Sequence, residues 1–249
     1  MENKKETKTC SFKQNQGKEL PEWIPAEKLW RYFSSFGISM CSFVVNFDRQ
    51  EYHVLTADEL WFPQQLVFHK AKVPVWESCP TEERLAMANR VKCLQTFIAR
   101  HVPVSARTSV SIIEDFHIHW GGIDLLVTQK FYPLKIDEEG HVKVGLFMMR
   151  PSANGAFGEM TILWGDKVWK YDSNRRSFVE GMKPTMTVSE MKMMQLSIFG
   201  SPVKIIADKL NQSENTTKKL RDRMYKKMLV NNLLEAFAKV NLYSLWRRR

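Results

Sequence analysis

Two groups of residues in this sequence have types and spacings that could do chemistry. Asp115, His117 and His119 alternate along DFHIH. Alternate residues of a strand share a face, so a carboxylate and two imidazoles could converge on a metal ion such as zinc. The competing reading is three polar side chains on the solvent side of a half-buried sheet, with Phe116 and Ile118 inward. That second reading is preferred, because no further ligand and no general base stands at a defined spacing. The chain has no G-x-S-x-G, no H-E-x-x-H and no phosphate-cradling glycine loop, so no enzyme activity, catalytic residue, metal or cofactor is expected. The second group lies between Ser213 and Met228. On a 3.6-residue period Asn215, Lys218, Lys219, Asp222 and Lys226 fall on one side, and Thr217, Leu220, Met224 and Met228 on the other. Lysine and arginine bind phosphates and read guanine edges, and asparagine reads adenine, so the first side is suited to an anionic polymer. The plain alternative is a solvated helix face.

Those side chains need a scaffold, and the stretch from Thr187 to Met228 supplies it. Thr187 and Glu190 have the spacing of a capping box, which predicts a helix from about Val188. Gly200 can end that helix in the left-handed conformation. Ser201 and Pro202 predict a restart, with serine as cap and proline at the first helical position. Asn211 and Gln212 break the pattern after Leu210, and Ser213 caps a third helix beginning at Glu214. Two helices joined by a short turn, the second with a basic, amide-rich face, is the helix-turn-helix arrangement that enters a DNA major groove. Met193, Met194, Leu196, Ile206, Ala207, Leu210, Leu220 and Met224 are its expected core. A fourth helix, Leu233 to Leu245, carries Leu234, Phe237, Ala238 and Leu242 on one face, part completing this core and part available to pair two copies. Arg247, Arg248 and Arg249 follow as a basic tail.

The run Met186, Thr187, Glu190, Met194, Leu196, Gly200, Lys204, Ile206, Ala207, Leu210, Ser213, Thr216, Lys218, Arg221, Lys227 and Met228 resembles the LuxR-type (GerE-type) regulator domain. Five positions depart from that pattern: Ile205 replaces a glutamate, Gln212 an apolar residue, Thr217 a valine, Leu220 a histidine and Leu229 a glycine. Gln212 brings a buried amide that needs a partner. The resemblance places DNA contacts at Lys218 and Arg221, with Asn215 and Lys219 sharing or adjoining their face. Lys204, Ser213, Thr216, Arg223 and Lys226 are the expected phosphate contacts.

Charge agrees with this placement. The net charge is +10, and from Thr187 onward there are 13 Lys and Arg against 5 Asp and Glu, compared with 24 against 22 before it. Basic character is thus gathered where phosphates are expected. Cys10, Cys41, Cys79 and Cys93 show no paired spacing, which fits free thiols in a reducing compartment. No apolar run reaches the length of a bilayer span, and the polar N-terminus lacks a signal peptide's apolar core, so a cytoplasmic location without membrane contact is expected.

In the front of the chain, residues 1–21 read as a disordered or loosely attached lead-in. Glu22 to Phe36 has an aromatic stripe at helical spacing. CSFVVNF and YHVL read as strands, and a short helix is expected around Asp58 to Val67. A helix over Thr81 to Ala99 should turn Leu85, Ala88, Val91, Cys93, Leu94, Phe97 and Ile98 inward. SVSIIEDFHIHW, IDLLVTQKFYPLKI and HVKVGLFMMR read as three successive strands, the last two joined by an acidic turn ending at Gly140. MTILW and KVWKYD form a further hairpin, and Tyr171 to Pro184 reads as a polar connection. The segment KFYPLKIDEEGHVKVGLFMMRPS resembles the closing hairpin of a PAS-type sensor domain, with a roadblock-like or unrelated α+β sheet as the alternative.

These readings combine into an α+β chain. A PAS-like antiparallel sheet with flanking helices spans residues 22–175, a linker spans 176–183, and an all-α, four-helix LuxR-type helix-turn-helix domain spans 184–249. The resemblance implies a transcriptional regulator that binds double-stranded DNA as a homodimer, with a small-molecule ligand of the sensor domain as a further candidate partner. The alternative is a protein-interaction module whose degenerate helix-turn-helix no longer binds DNA.

Overall fold

The computed structural model describes residues 13–15, 22–25, 41–57, 79–120, 123–152, 157–243 and 245. Most of the expected aromatic helix at Glu22 to Phe36, the helix at Asp58 to Val67, Cys10 and the Arg247 to Arg249 tail lie outside these residues.

Among the described residues nine strands form one sheet: β1 (Lys13–Asn15), β2 (Cys41–Asn46), β3 (Glu51–Ala57), β4 (Ser111–Trp120), β5 (Ile123–Ile136), β6 (Val142–Pro151), β7 (Met160–Trp164), β8 (Lys167–Asp172) and β9 (Ser177–Gly181). Their order is β1-β3-β2-β6-β5-β4-β7-β8-β9. Every pairing is antiparallel except β1 on β3. Three residues of the expected loose lead-in therefore add a strand at the sheet edge. β9 falls in the stretch expected to connect two domains, where Val168 pairs with Gly181 and Asp172 with Ser177. The connection is thus shorter than expected, running from Met182 to Thr187.

β5 carries a proline, which cannot donate to a ladder. β4 pairs with β5 only as far as Phe131, so Pro133 meets β6 alone, opposite Gly145, and a register irregularity follows at once. The β5–β6 turn closes as the acidic tip predicts. Gly140 holds φ +86, and a Cβ there would lie 1.9 Å from Arg107 Nη1. Arg107, in a 3-10 helix (Val104–Ser109), donates to the carbonyls of Glu139 and Gly140 at 3.1 Å each and fastens the tip.

Alternation gives the sheet two apolar faces. Helix α1 (Thr81–His101) covers the inner one, which carries Phe43, Phe116, Phe147 and Met149 and continues onto Ile112, Ile162 and Trp169. Phe97 of α1 lies 5.4 Å from the Trp169 ring and 5.3 Å from that of Phe178. The buried residues of α1 are Met87 and Arg90, with Leu94, Phe97 and Ile98 half-buried, while Leu85 is 69% exposed and Ala88 and Val91 face solvent. This corrects the expected inward face. The guanidinium of Arg90 takes the inward position by donating from Nε (3.0 Å) and Nη2 (2.8 Å) to Glu114 of β4, and it lies 5.0 Å from the Phe157 ring centroid. Cys41, Cys79 and Cys93 form no disulfide among the described residues, and burial pushes the thiols of Cys41 and Cys79 up to about 12.

Four helices follow: α2 (Val188–Ile198), α3 (Val203–Leu210), α4 (Glu214–Met228) and α5 (Leu233–Leu242). Their shared core is Met193, Met194, Ile206, Met224, Met228 and Val240 with their neighbours. The outer face of the sheet, with Ile113, Leu134, Leu146, Met148 and Leu163, packs against Leu242 and Tyr243 at the end of α5. This corrects the expected role of the last helix. Of the expected stripe, Ala238 is buried and Leu242 faces the sheet, whereas Leu234 is 77% exposed, and Ala236 and Val240 face the helical core in its place. No helix among the described residues is long and apolar enough to cross a membrane.

Candidate nucleic-acid interface

The helix ends form as their residues dictate. The Thr187 hydroxyl accepts from the Glu190 amide at 3.2 Å, and the Glu190 carboxylate accepts from the Thr187 amide at 2.7 Å, so both halves of the capping box are present. Gly200 has φ +73, and the Ser201 and Gly200 amides return to the carbonyls of Leu196 and Ser197 at 3.0 Å each. That pair of bonds is the glycine-closed helix end, which uses carbonyls left open by the last turn. Asn211 closes α3 in the same way at φ 54, with the Gln212 amide on the Ala207 carbonyl at 3.1 Å. One restart differs from expectation. Pro202 stands as the N-cap of α3 at φ −59, ψ 151 with no side-chain cap, so the helix begins at Val203 and Ser201 does not cap it.

Ser213 caps α4 by accepting from the Thr216 amide at 3.1 Å. Thr217, Met224 and Met228 are buried and Leu220 is half-buried, which is the predicted core stripe. On the other side Asn215, Thr216, Lys218, Lys219, Asp222, Arg223 and Lys226 are all exposed, as are Ser213 and, on α3, Lys204. Arg221 is half-buried, and its Nε lies 3.4 Å from Asp222 Oδ1. Lys218 and Arg221 line one groove of about 250 Å³ with Gly200, Ser201 and Val203, which brings the start of α3 and the middle of α4 to one surface. Five lysines and arginines on the outside of α4, answered there only by Asp222 and Glu214, make this a cationic ridge.

Two features here went unmarked in the sequence. Lys227, next to the ridge and still exposed, reaches back to α2 and donates to Glu190 at 2.6 and 2.8 Å. Lys192 of α2 donates to the Lys209 carbonyl at the end of α3 at 2.7 Å, complementing the negative end of that helix. Of the departures from the family pattern, Gln212 leaves its buried Nε2 without a partner, and Leu229 occupies a left-handed position at φ 53. The helices form around both.

Asp115, His117 and His119 do not converge. Asp115, 1% exposed, accepts from Thr128 and from Ser152 (2.9 Å). His117 Nδ1 lies 2.6 Å from Glu83 of α1, and His119 Nδ1 lies 2.8 Å from Asp124. Each has its own partner, and Asp115 faces the protein interior rather than solvent, contrary to the preferred sequence reading.

Three helices, the first and third capped by Thr187 and Ser213, with the exposed cationic α4 as the second member of the α3–turn–α4 pair, have the arrangement of a helix-turn-helix domain. Residues 184–240 match the family model described as bacterial regulatory proteins, luxR family (GerE), so this part of the chain is a LuxR-type domain. No curated protein matches the sequence. Among solved structures, the chain is similar to the VqmA dimer of Vibrio cholerae in the absence of target DNA, at 11% identity over 87% of each chain with a TM-score of 0.27. The Vibrio cholera VqmA–ligand–DNA complex shares 11% identity over 90% of each chain with a TM-score of 0.27. The phage VqmA–DPO complex shares 14% identity over 90% of this chain and 93% of that one, with a TM-score of 0.25.

Proposed function

We propose that the chain is a cytoplasmic DNA-binding transcriptional regulator in which a sensor domain controls the helix-turn-helix domain. The observation that carries this reading is the uncovered basic and amide-bearing side of α4 within a LuxR-type frame. α4 lies in the major groove. Lys218, Lys219, Arg221 and Asn215 reach base edges or the flanking backbone, and Lys204, Ser213, Thr216, Arg223 and Lys226 hold phosphates. Two copies bind together, because paired half-sites multiply affinity and match operator symmetry.

The domain division at about residues 22–175, 176–183 and 184–249 is kept as the working division, with β9 assigned to the sheet. A PAS-like reading of the front is supported by the order β3-β2-β6-β5-β4, in which the first and last strands of a five-stranded antiparallel set lie side by side at its centre. The layout suits a small-molecule ligand between the inner face and α1, which covers it. Signalling is then a population shift between arrangements that present α4 differently.

The test is to titrate the full chain with duplex DNA at several salt concentrations. The logarithm of the association constant is expected to fall linearly with the logarithm of salt, and Lys218→Ala or Lys219→Ala should lower the slope by about 1 each where a phosphate contact is lost. Binding that ignores salt, or variants that bind like the parent, would overturn the reading in favour of the interaction module suggested by Gln212, Leu220 and Leu229.

A further inference from the structure

The outer face of the sheet buries two cations on its central strands, Lys130 of β5 and Arg150 of β6, beside the buried Asp115, Thr128 and Thr161. Lys130 Nζ donates to the Leu242 carbonyl and Arg150 Nη2 to the Ala238 carbonyl, each at 2.6 Å. The two acceptors are one turn apart in the last turns of α5, where a helix concentrates negative partial charge. Asp115, held by Ser152 and Thr128, supplies negative charge acting on Arg150, and the Tyr243 hydroxyl bonds to Thr161 of β7 beside them. If this interface served only to bury area, apolar side chains would do so without the cost of desolvating two cations. A buried cation fixes instead where its partner sits.

The strands that carry these cations also line the opposite face. Across β5 and β6, Thr128 pairs with Arg150, Gln129 with Met149, Lys130 with Met148 and Phe131 with Phe147. Side chains alternate, so Gln129, Phe131, Phe147 and Met149 face the inner layer while Lys130 and Arg150 face α5. Gln129 is buried there, and its Oε1 has no hydrogen-bond partner among the described residues. Any displacement of β5 against β6 on the inner side is felt by the two donors one residue away.

We propose that Lys130 and Arg150 form the joint by which the β5–β6 pair holds the last turns of α5, and through which movement of the sheet reaches the helix-turn-helix domain. The joint rests on geometry within one chain. Its consequence for signalling rests on the proposed regulator function, so the test is made without DNA.

Hydrogen exchange is measured on the full-length chain and on Lys130→Met, Arg150→Met and Lys130→Arg. Amides of α5 should exchange roughly tenfold faster in the two methionine variants, with α1 and α4 unchanged, because only the docked helix has lost its anchor. Lys130→Arg, which keeps a buried donor and its charge, should return most of the protection. Unchanged exchange at α5 in both methionine variants, or acceleration spread equally over α1 and α4, would overturn the proposal. If Lys130→Met does not fold, Arg150→Met decides by the same two criteria. Failure to bind DNA would leave this result standing.

Discussion

Lys227 Nζ lies 2.6 Å from Glu190 Oε2, so the residue that caps the first helix of the helix-turn-helix also anchors the last turn of its third. Burial alone would raise the Glu190 carboxyl, but the hydrogen bond from Lys227, together with the Thr187 amide, holds it below the ordinary carboxylate range. A carboxyl lowered on folding contributes stability that is present above its unfolded value, near 4.5, and is lost as pH falls through the folded one. Lys227→Met should cost about 1–3 kcal/mol at pH 7, and the gap between variant and parent should close on acidification. Urea melts at pH 7 and pH 3 measure both. A gap that persists at pH 3 would show that the lysine acts through packing.

Leu229 ends α4 at φ 53, ψ 54 and is 82% exposed, so it has the strain of the left-handed region with little burial to offset it. Leu229→Gly should raise stability by about 1 kcal/mol, since glycine meets no Cβ penalty there. The check is a higher urea midpoint at an unchanged slope. A loss of stability would mean that the exposed leucine makes a contact worth more than its strain.

Arg90 and Glu114 are buried together between α1 and β4, with side chains 5% and 6% exposed. Burial already lifts the Glu114 carboxyl to about 7 against the pull of Arg90, so Arg90→Met leaves a buried acid without its donor and should cost about 3–5 kcal/mol, whereas adding Glu114→Gln removes the titrating group and should recover a large part of that. The double-mutant cycle reads the coupling directly. Additive losses would show that the pair does not act as a unit.

Burial, followed by the charges of Arg150 and Lys183, pulls Lys130 from 10.5 down to about 7. A lysine lowered on folding holds fewer protons folded than unfolded between those values. Its cost is therefore complete below pH 7 and is lifted as pH rises toward 10.5. The parent should gain stability relative to Lys130→Met between pH 7 and pH 9, a difference that cancels the buried thiols and tyrosines common to both. A constant gap over that interval would contradict the sign.

The helix ends were legible from the sequence because their signals are local. Thr187, Glu190, Gly200, Asn211 and Ser213 act over three to five residues, and each closes or opens a helix as its chemistry predicts. Pro202 misled by one position: its extended ψ of 151 keeps it outside α3. The inward face of α1 was misread for a different reason. Hydropathy assigns that face to Leu85 and Val91, whereas an arginine 24 positions from its glutamate occupies it. The docking of α5 was not legible at all, because it depends on a lysine and a carbonyl 112 positions apart, and a lone Lys130 in a strand looks like any solvated edge charge. Gln212 was the informative exception. A polar residue at an apolar position announced an unsatisfied amide, and its Nε2 is left without a partner.

The sheet is clad on both sides, by α1 within the front half and by the end of α5 from the back. Severing the chain between Gly181 and Thr187 would take Leu242 and Tyr243 off the face that carries Leu134, Leu146, Met148 and Leu163, and would leave Lys130 and Arg150 without the α5 carbonyls they donate to. Neither piece made alone is a fair stand-in for the intact polypeptide, and a front fragment prepared for ligand screening is expected to self-associate through the surface that α5 normally shields.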